Sequence, residues 1–291
     1  MNITANIVKD LREKTGAGMM DCKRALVEAN GDMDKAIEYL RKHGIAKAEK
    51  KSGRATKEGK VISLIKDGKA VLLEVLCETD FVATNEKFTN YINQVAERAL
   101  ALDGNGDVSE AVQANEKDSL VNMISTIGEN MQIRRCAKWD VTGTAASYLH
   151  MGGRIGVMVE VAGDATAELL NEIGMHIAAF NPAYICRNCI PADIIEKEKD
   201  IARAQLTGKP ANIIEKIVDG KIGKYYTEVC LMDQPWIMDD KTSLAKLQPN
   251  LKVLRFLRKS AKTWTNLRLA QRKRRDLIPP FLYRCFIFMA R

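Results

Sequence analysis

Histidine is scarce in this sequence, which has only His43, His150 and His176 among its 291 residues. Three motifs of phosphate-binding and hydrolytic enzymes are also missing: the Gly-x-x-x-x-Gly-Lys-Ser/Thr phosphate loop, the Gly-x-Ser-x-Gly elbow and His-Glu-x-x-His. A catalytic triad or a metal cluster would need each histidine in the right place. We therefore expect that the protein is not an enzyme, that it has no catalytic residues and that it binds no cofactor.

Long apolar runs are absent as well. No stretch approaches the ~18 residues of a membrane-spanning helix, and residues 1–5 lack the basic flank and apolar region of a secretory signal. We therefore predict no membrane association. The seven cysteines are an odd and scattered set, which is typical of reduced thiols. Cys186 and Cys189 have the spacing of a zinc or redox pair, but no second pair accompanies them, so we predict no metal site.

The net charge of +8 is unevenly distributed along the chain. Nine of the 45 basic residues and one of the 37 acidic residues fall in residues 259–291, which leaves 36 of each sign in residues 1–258. The body of the chain is therefore neutral, and its composition does not favour nucleic-acid binding. Residues 259–291 form an atypical basic tail. RNA binding through that tail is the alternative function that the composition leaves open.

Residues 1–46 have the pattern of three short helices. Apolar stripes recur at helical spacing, glycines interrupt them, and Asp32 stands where it can cap the third helix. A unit this small is expected to present a surface to a partner. Met19 and Met20 could form that surface, or Met20 could lie in the core with Met19 exposed. Residues 47–59 are rich in basic residues and lack apolar periodicity, which indicates a linker.

The core contains an internal repeat. Residues 61–75 give a strand, an Asp-Gly turn and a strand, and residues 147–161 repeat this plan with a Gly-Gly turn. Lys69 aligns with Arg154, and an amphipathic helix follows each hairpin. We predict an α+β fold of two related halves, each an antiparallel sheet backed by helices. The predicted units are a three-helix domain (1–46), a linker (47–59), a first core subdomain (60–142), a second core subdomain (143–190 and 225–258), an inserted antiparallel helical hairpin (191–224) and the tail (259–291).

The stretch from Leu76 to Val82 differs between the two halves. It continues a strand and then forms an acidic turn tipped by Phe81. Phe81 could be the first core residue of the next helix, because large apolar side chains are usually buried. The equivalent residues 161–166, Val-Ala-Gly-Asp-Ala-Thr, contain no aromatic. This difference favours a partner-facing Phe81, since repeats diverge where they contact different things. His150, at the end of a hairpin strand, is a second candidate for an exposed contact.

Five motifs carry a family resemblance, and they occur in the family's order: Val8–Leu26, Cys77–Ala83, His150–Val157, Met175–Ala179 and Gln234–Met238. Together they resemble bacterial elongation factor Ts, over residues 1 to about 258. The resemblance implies a cytoplasmic guanine-nucleotide exchange factor whose partner is elongation factor Tu, in its GDP-bound or nucleotide-free state. It also implies that the three-helix domain is ubiquitin-associated-like and that the helical hairpin is a coiled-coil insertion.

The resemblance assigns site residues as well. The family motif that dislodges Mg²⁺ from elongation factor Tu, with its phenylalanine wedged between partner side chains, matches Thr79, Asp80, Phe81 and Val82. Further expected contacts with this partner are Arg12, Met19, Met20, His150 and Gly153. Such a factor binds no nucleotide directly and breaks no bond in it. That role agrees with the missing enzyme motifs.

The tail departs from the family. After Arg258 the family continues with an acidic segment and a final amphipathic helix, whereas this chain continues with basic and aromatic residues. A shift of one nucleotide allows the codons of residues 259–266 to encode Glu-Val-Gly-Glu-Asp-Leu-Asp-Lys. We hypothesise a frameshift near codon 259, in the gene or in its sequencing. A genuine basic tail that binds RNA or a membrane is the alternative.

Overall fold

The computed structural model describes residues 3–163, 165–206 and 210–261. Three N-terminal helices precede two groups of strands and helices, which is the α+β architecture that the sequence predicts. In chain order the elements are α1 (Ala5–Thr15), α2 (Met19–Glu28), α3 (Met33–Ser52), β1 (Glu58–Lys66), β2 (Lys69–Cys77), α4 (Asp80–Thr84), α5 (Glu86–Ala101), β3 (Gly106–Asp107), α6 (Ser109–Asn115), α7 (Lys117–Ile127), β4 (Met131–Asp140), β5 (Thr144–His150), β6 (Ile155–Ala162), α8 (Ala167–Phe180), α9 (Ala192–Ala204), α10 (Ala211–Val229), α11 (Leu244–Leu247) and β7 (Lys252–Ser260).

The N-terminal helices form a small core of their own. Leu11 of α1, Leu26 of α2 and Ala36 of α3 are fully buried against one another. Asp32 caps α3 as predicted, because its carboxylate accepts hydrogen bonds from the backbone N–H groups of Asp34 and Lys35. The sequence pattern therefore specifies both this core and the start of the third helix.

The third helix is longer than the sequence predicts. Residues 47–52 belong to α3, so the prediction that the linker begins at residue 47 was wrong. Ala48 is buried in the core of the first half, and Lys51 Nζ donates a hydrogen bond to the carbonyl oxygen of Gly128 at 2.7 Å. Contacts with distant residues therefore stabilise the helix where the local pattern has no apolar stripe, since tertiary packing supplies most helical stability in proteins.

Two antiparallel sheets form the core. Their strand orders are β1-β2-β4-β3 and β5-β6-β7, so each begins with a hairpin and adds a third strand beside the second. Phe88 and Ile92 of α5 are buried on the first sheet, while Ile173 and Ile177 of α8 are buried on the second. The predicted plan of two related halves, each with a sheet and a covering helix, is thus present.

The repeat interval differs by one residue from the prediction. A β-bulge follows Glu74 in β2 and Glu160 in β6, so these two glutamates are equivalent positions. They are 86 residues apart, whereas Lys69 and Arg154, which the sequence aligned, are 85 residues apart. The cause is the turn. Two residues connect β1 to β2, whereas the four residues 151–154 connect β5 to β6. An alignment that places one turn on the other therefore moves the strands of the two halves out of register.

The inserted hairpin consists of α9 and α10. Ala202 of α9 is buried against Val218 and Ile222 of α10, and Arg203 forms an ion pair with Glu215 at 2.9 Å. The second helix continues to Val229, five residues beyond the predicted boundary at residue 224. The extension buries Tyr225, and this apolar contact explains why the helix does not end at the boundary.

The last strand extends into the predicted tail. Lys259 and Ser260 belong to β7, where Ser260 pairs with Ile155 of β6. Ala261 is fully buried in the cluster that joins the two sheets. The tail boundary at residue 259 was therefore wrong by three residues, because strand pairing continues past it. The rest of the tail, residues 262–291, and with it the frameshift and basic-tail hypotheses, lies outside the described residues.

Candidate partner-binding site

The Phe81 loop, defined as residues 78–82, joins β2 to the one-turn helix α4. Thr79 caps this helix, since its Oγ1 accepts a hydrogen bond from the N–H of Val82 at 3.4 Å. Cys77 Sγ donates to the carbonyl oxygen of Thr79 at 3.1 Å, and burial raises the pKa of this thiol to about 12. The thiol therefore remains a neutral donor at the base of the loop.

Phe81 points away from the core. Its side chain is 83% exposed, whereas Val82 next to it is buried in the core of the first half. In the next long helix, α5, the first large core residue is Phe88, which is fully buried. The alternative in which Phe81 is a core residue is wrong. A single exposed apolar side chain is not by itself evidence of a binding site, but the exposure leaves the ring free to contact a partner.

A carboxylate that lies fifty residues further along the chain holds the loop. Glu129 Oε2 accepts hydrogen bonds from the backbone N–H groups of Glu78 at 3.1 Å and Thr79 at 3.0 Å. Its Oε1 accepts a hydrogen bond from the hydroxyl group of Thr79 at 2.6 Å. Glu129 is not among the predicted site residues, because the contact joins residues fifty positions apart and no local pattern marks it. Gly128, with φ of 93°, is the local signal for a turn there.

The next residue, Asn130, connects the loop to the end of α3. Glu78 Oε1 accepts a hydrogen bond from the backbone N–H of Asn130 at 2.6 Å. The Asn130 side-chain amide donates to the carbonyl oxygens of Ser52 at 3.2 Å and Arg54 at 2.8 Å. Residues 128–130 thus tie together the Phe81 loop and the C-terminal end of the N-terminal helices.

The predicted contacts on the N-terminal helices lie at the surface. Arg12 is exposed in the last turn of α1. Met19 and Met20 begin α2 and are 43% and 71% exposed. The alternative that buried Met20 is therefore wrong, because Cys22, Ala25 and Leu26 supply the buried face of this helix. The two methionines form an exposed apolar pair beside the α1–α2 turn.

His150 and Gly153 lie in the turn region of the second hairpin. His150 is half-buried, and its Nδ1 is 3.1 Å from Tyr148 Oη. Gly153 is buried at φ of 96°, and a Cβ there would lie 2.6 Å from the carbonyl oxygen of Val61. Gly153 therefore permits the close approach of β1, and this position favours a role in packing the halves together over direct contact with a partner.

His176, the third histidine of the sequence, is structural. His176 is fully buried, its Nε2 is 3.0 Å from Gln234 Oε1, and its ring stacks on Trp236 at 5.0 Å. Burial lowers the pKa of His176, so the ring is neutral. Within residues 3–163, 165–206 and 210–261, no group of three His, Cys, Asp or Glu residues could hold a metal ion. No helix in this described part of the chain is long and apolar enough to cross a membrane.

Comparison with known proteins shows the family to which this chain belongs. The family model described as Elongation factor TS matches residues 78–261, which is more than half of the chain. The chain belongs to the elongation factor Ts family. The family resemblance of the five motifs is thereby confirmed, and the chain is identified as a translation elongation factor.

Relatives of the elongation factor Ts family resemble the chain over most of its length. Elongation factor Ts of Halothermothrix orenii is 45% identical over 262 residues, which cover 85% of this chain and 87% of that protein. The Clostridium perfringens protein is 46% identical over 261 residues, with 84% and 86% covered. That of Paramagnetospirillum magneticum is 44% identical over 269 residues, with 86% and 85% covered. The family-model match begins at Glu78, the first residue of the Phe81 loop, and ends at Ala261, directly after β7.

Proposed function

We propose that the protein is a cytoplasmic guanine-nucleotide exchange factor for elongation factor Tu. It binds the GDP-bound partner, promotes release of GDP by disturbing the Mg²⁺ and phosphate site, and remains bound until GTP binds. The factor binds no nucleotide itself. It makes or breaks no covalent bond, so it accelerates release without being an enzyme in the chemical sense.

The exposed ring of Phe81 is the observation that carries this proposal. Burial of a phenylalanine side chain contributes roughly 1.5–3 kcal/mol of transfer free energy, which can stabilise a distorted pocket in the partner. The ring stands on an anchored loop. Val82 is buried, and the Thr79 hydroxyl both donates a hydrogen bond to Glu129 and accepts one from Val82 N–H. Anchoring matters because a loop backbone that is already ordered loses little conformational entropy when it binds.

The proposed chemistry takes place on the partner. Mg²⁺ bridges and neutralises nucleotide phosphates, so its displacement leaves phosphate charge poorly compensated and weakens GDP binding. Binding of the factor and binding of GDP with Mg²⁺ then oppose each other with the same coupling free energy. Arg12, Met19, Met20 and His150 are proposed as additional contacts that supply affinity away from the nucleotide.

The test is release of a fluorescent GDP analogue from elongation factor Tu. Micromolar factor is expected to accelerate release, and excess Mg²⁺ is expected to reduce that acceleration. Lack of acceleration would contradict the proposed exchange activity. The alternative, RNA binding through the tail, concerns residues outside the described part of the chain, and the neutral body of residues 1–258 lends it no support.

A further inference from the structure

We propose that Glu129 is a positioning residue for nucleotide exchange: it holds the Phe81 loop in the orientation in which the ring enters the partner. This inference rests on the proposed function, because it concerns how the wedge of that function is held. Glu129 itself acts through Thr79 and Glu78, the two residues that its carboxylate binds.

The loop needs such support because α4 is too short to orient itself. It has five residues, and an isolated helix of one turn is not stable in water. Its orientation must therefore come from contacts with the rest of the fold. Val82 supplies an apolar contact on the core side, and the cap residue Thr79 supplies the polar one through Glu129.

The hydrogen bonds to Glu129 fix the loop in more than one direction. The two backbone N–H groups of Glu78 and Thr79 both point to Oε2, and the hydroxyl of Thr79 donates to Oε1. The same hydroxyl accepts from Val82 N–H, so the direction of its proton is set by the carboxylate. Without Glu129 the hydroxyl could rotate, and two half-buried N–H groups would lose their acceptor.

Glu116 provides a matched control in the same half of the core. Its carboxylate also accepts three hydrogen bonds, two from Arg98 and one from Ser119. It lies at the junction of α6 and α7, away from the Phe81 loop in the chain. Glu116→Ala thus removes a comparable hydrogen-bonded carboxylate without removing an acceptor from the loop.

The experiment compares GDP release from elongation factor Tu at saturating concentrations of wild type, Glu129→Ala, Glu129→Gln, Glu116→Ala and Phe81→Ala. We expect Glu129→Ala to lower the maximal release rate about tenfold, with less than a twofold change in the half-saturating concentration. Glu129→Gln keeps the side-chain shape and one acceptor oxygen, so an intermediate rate is expected. Glu116→Ala is expected to promote GDP release from elongation factor Tu at the wild-type maximal rate, whatever its effect on thermal stability.

A double variant separates positioning from general damage. Because Glu129 acts only through the ring, Phe81→Ala/Glu129→Ala should be no slower than the slower of its two single variants. Amide hydrogen exchange of the peptide that spans the Phe81 loop should be faster in Glu129→Ala and unchanged in Glu116→Ala. Should Glu129→Ala fail to fold, Glu129→Gln gives the same two readouts.

Several results would overturn the inference. The inference is wrong if both Glu129 variants promote GDP release at the wild-type maximal rate. It is also wrong if the two single effects multiply in the double variant, or if amide exchange in the loop is unchanged in Glu129→Ala. A Phe81→Ala variant that promotes GDP release from elongation factor Tu at the wild-type rate would instead contradict the wedge role of Phe81. In that case amide exchange would still report whether Glu129 holds the loop, so the two failures are distinguishable.

Discussion

Glu74 and Glu160 occupy equivalent places in the two central strands, and the side chain of each is fully buried. Glu74 is paired with Arg135 of β4 at 2.6 Å, and Glu160 is paired with Arg255 of β7 at 2.6 Å. Each glutamate lies directly before a β-bulge. A similar ion pair with the third strand of the sheet therefore accompanies the same irregularity in both halves.

Replacement of Glu160 by Gln should destabilise the fold by about 2 kcal/mol, because the buried side chain loses its charge-assisted hydrogen bond with Arg255. Burial alone raises the pKa of Glu160, but the N–H groups of Thr142 and Gly143 and the Arg255 side chain more than offset this and place the pKa below 4.5. The unfolded state therefore takes up the proton first as the pH falls. The stabilisation is complete above the ordinary carboxyl pKa and is lost below it.

Urea unfolding between pH 3 and 7 measures this effect. The difference in unfolding free energy between wild type and Glu160→Gln should shrink as the pH falls below about 4.5. Glu13→Gln is the control, since Glu13 forms an exposed pair with Lys9 and should change stability by less than ~0.5 kcal/mol. An equally small effect of Glu160→Gln would contradict a stabilising role for the buried pair.

Two glycines should respond in opposite ways to alanine. A Cβ at Gly156 would overlap Val61 Cγ1 and lie 3.1 Å from Leu72 Cδ1, so Gly156→Ala should cost ~1–3 kcal/mol by forcing the sheets apart. At Gly220 of α10 no atom lies within 4 Å of the added Cβ, so Gly220→Ala should stabilise that helix by up to ~1 kcal/mol. Urea midpoints measure both changes, and a neutral Gly156→Ala would show that the sheets have room for a methyl group at this position.

Lys259 predicts a stability change at alkaline pH. Its side chain is 5% exposed, and burial, with repulsion from Arg135, lowers its pKa to about 8, although Glu74 acts in the opposite direction. Because the ordinary pKa is 10.5, the unfolded state holds the proton more tightly, and stability from this group rises between pH 8 and 10.5. The unfolding free energy of wild type relative to Lys259→Met should therefore rise between pH 8 and 10.5. A pH-independent difference would contradict burial of a lysine with a lowered pKa.

The sequence predicted features that depend on local pattern or on comparison of the halves. Asp32 could be identified as a cap, and the contrast between Phe81 and its counterpart in the repeat predicted exposure of the ring correctly. Contacts between distant residues were not predictable in this way. Glu129 binds a loop fifty positions earlier, and Lys51 extends α3 by bonding to Gly128. The offset of one residue between the halves arose because turn length, unlike strand pattern, is not repeated.

The wedge role of Phe81 is tested most directly by the maximal rate of GDP release from elongation factor Tu, measured with wild type, Phe81→Ala and Leu247→Ala. Leu247 is an exposed apolar residue on α11, and its truncation controls for loss of surface apolar area. Loss of most of the Phe81 burial should slow release roughly tenfold, while binding of the partner persists. Leu247→Ala should match wild type. Release by Phe81→Ala at the wild-type rate would contradict the account.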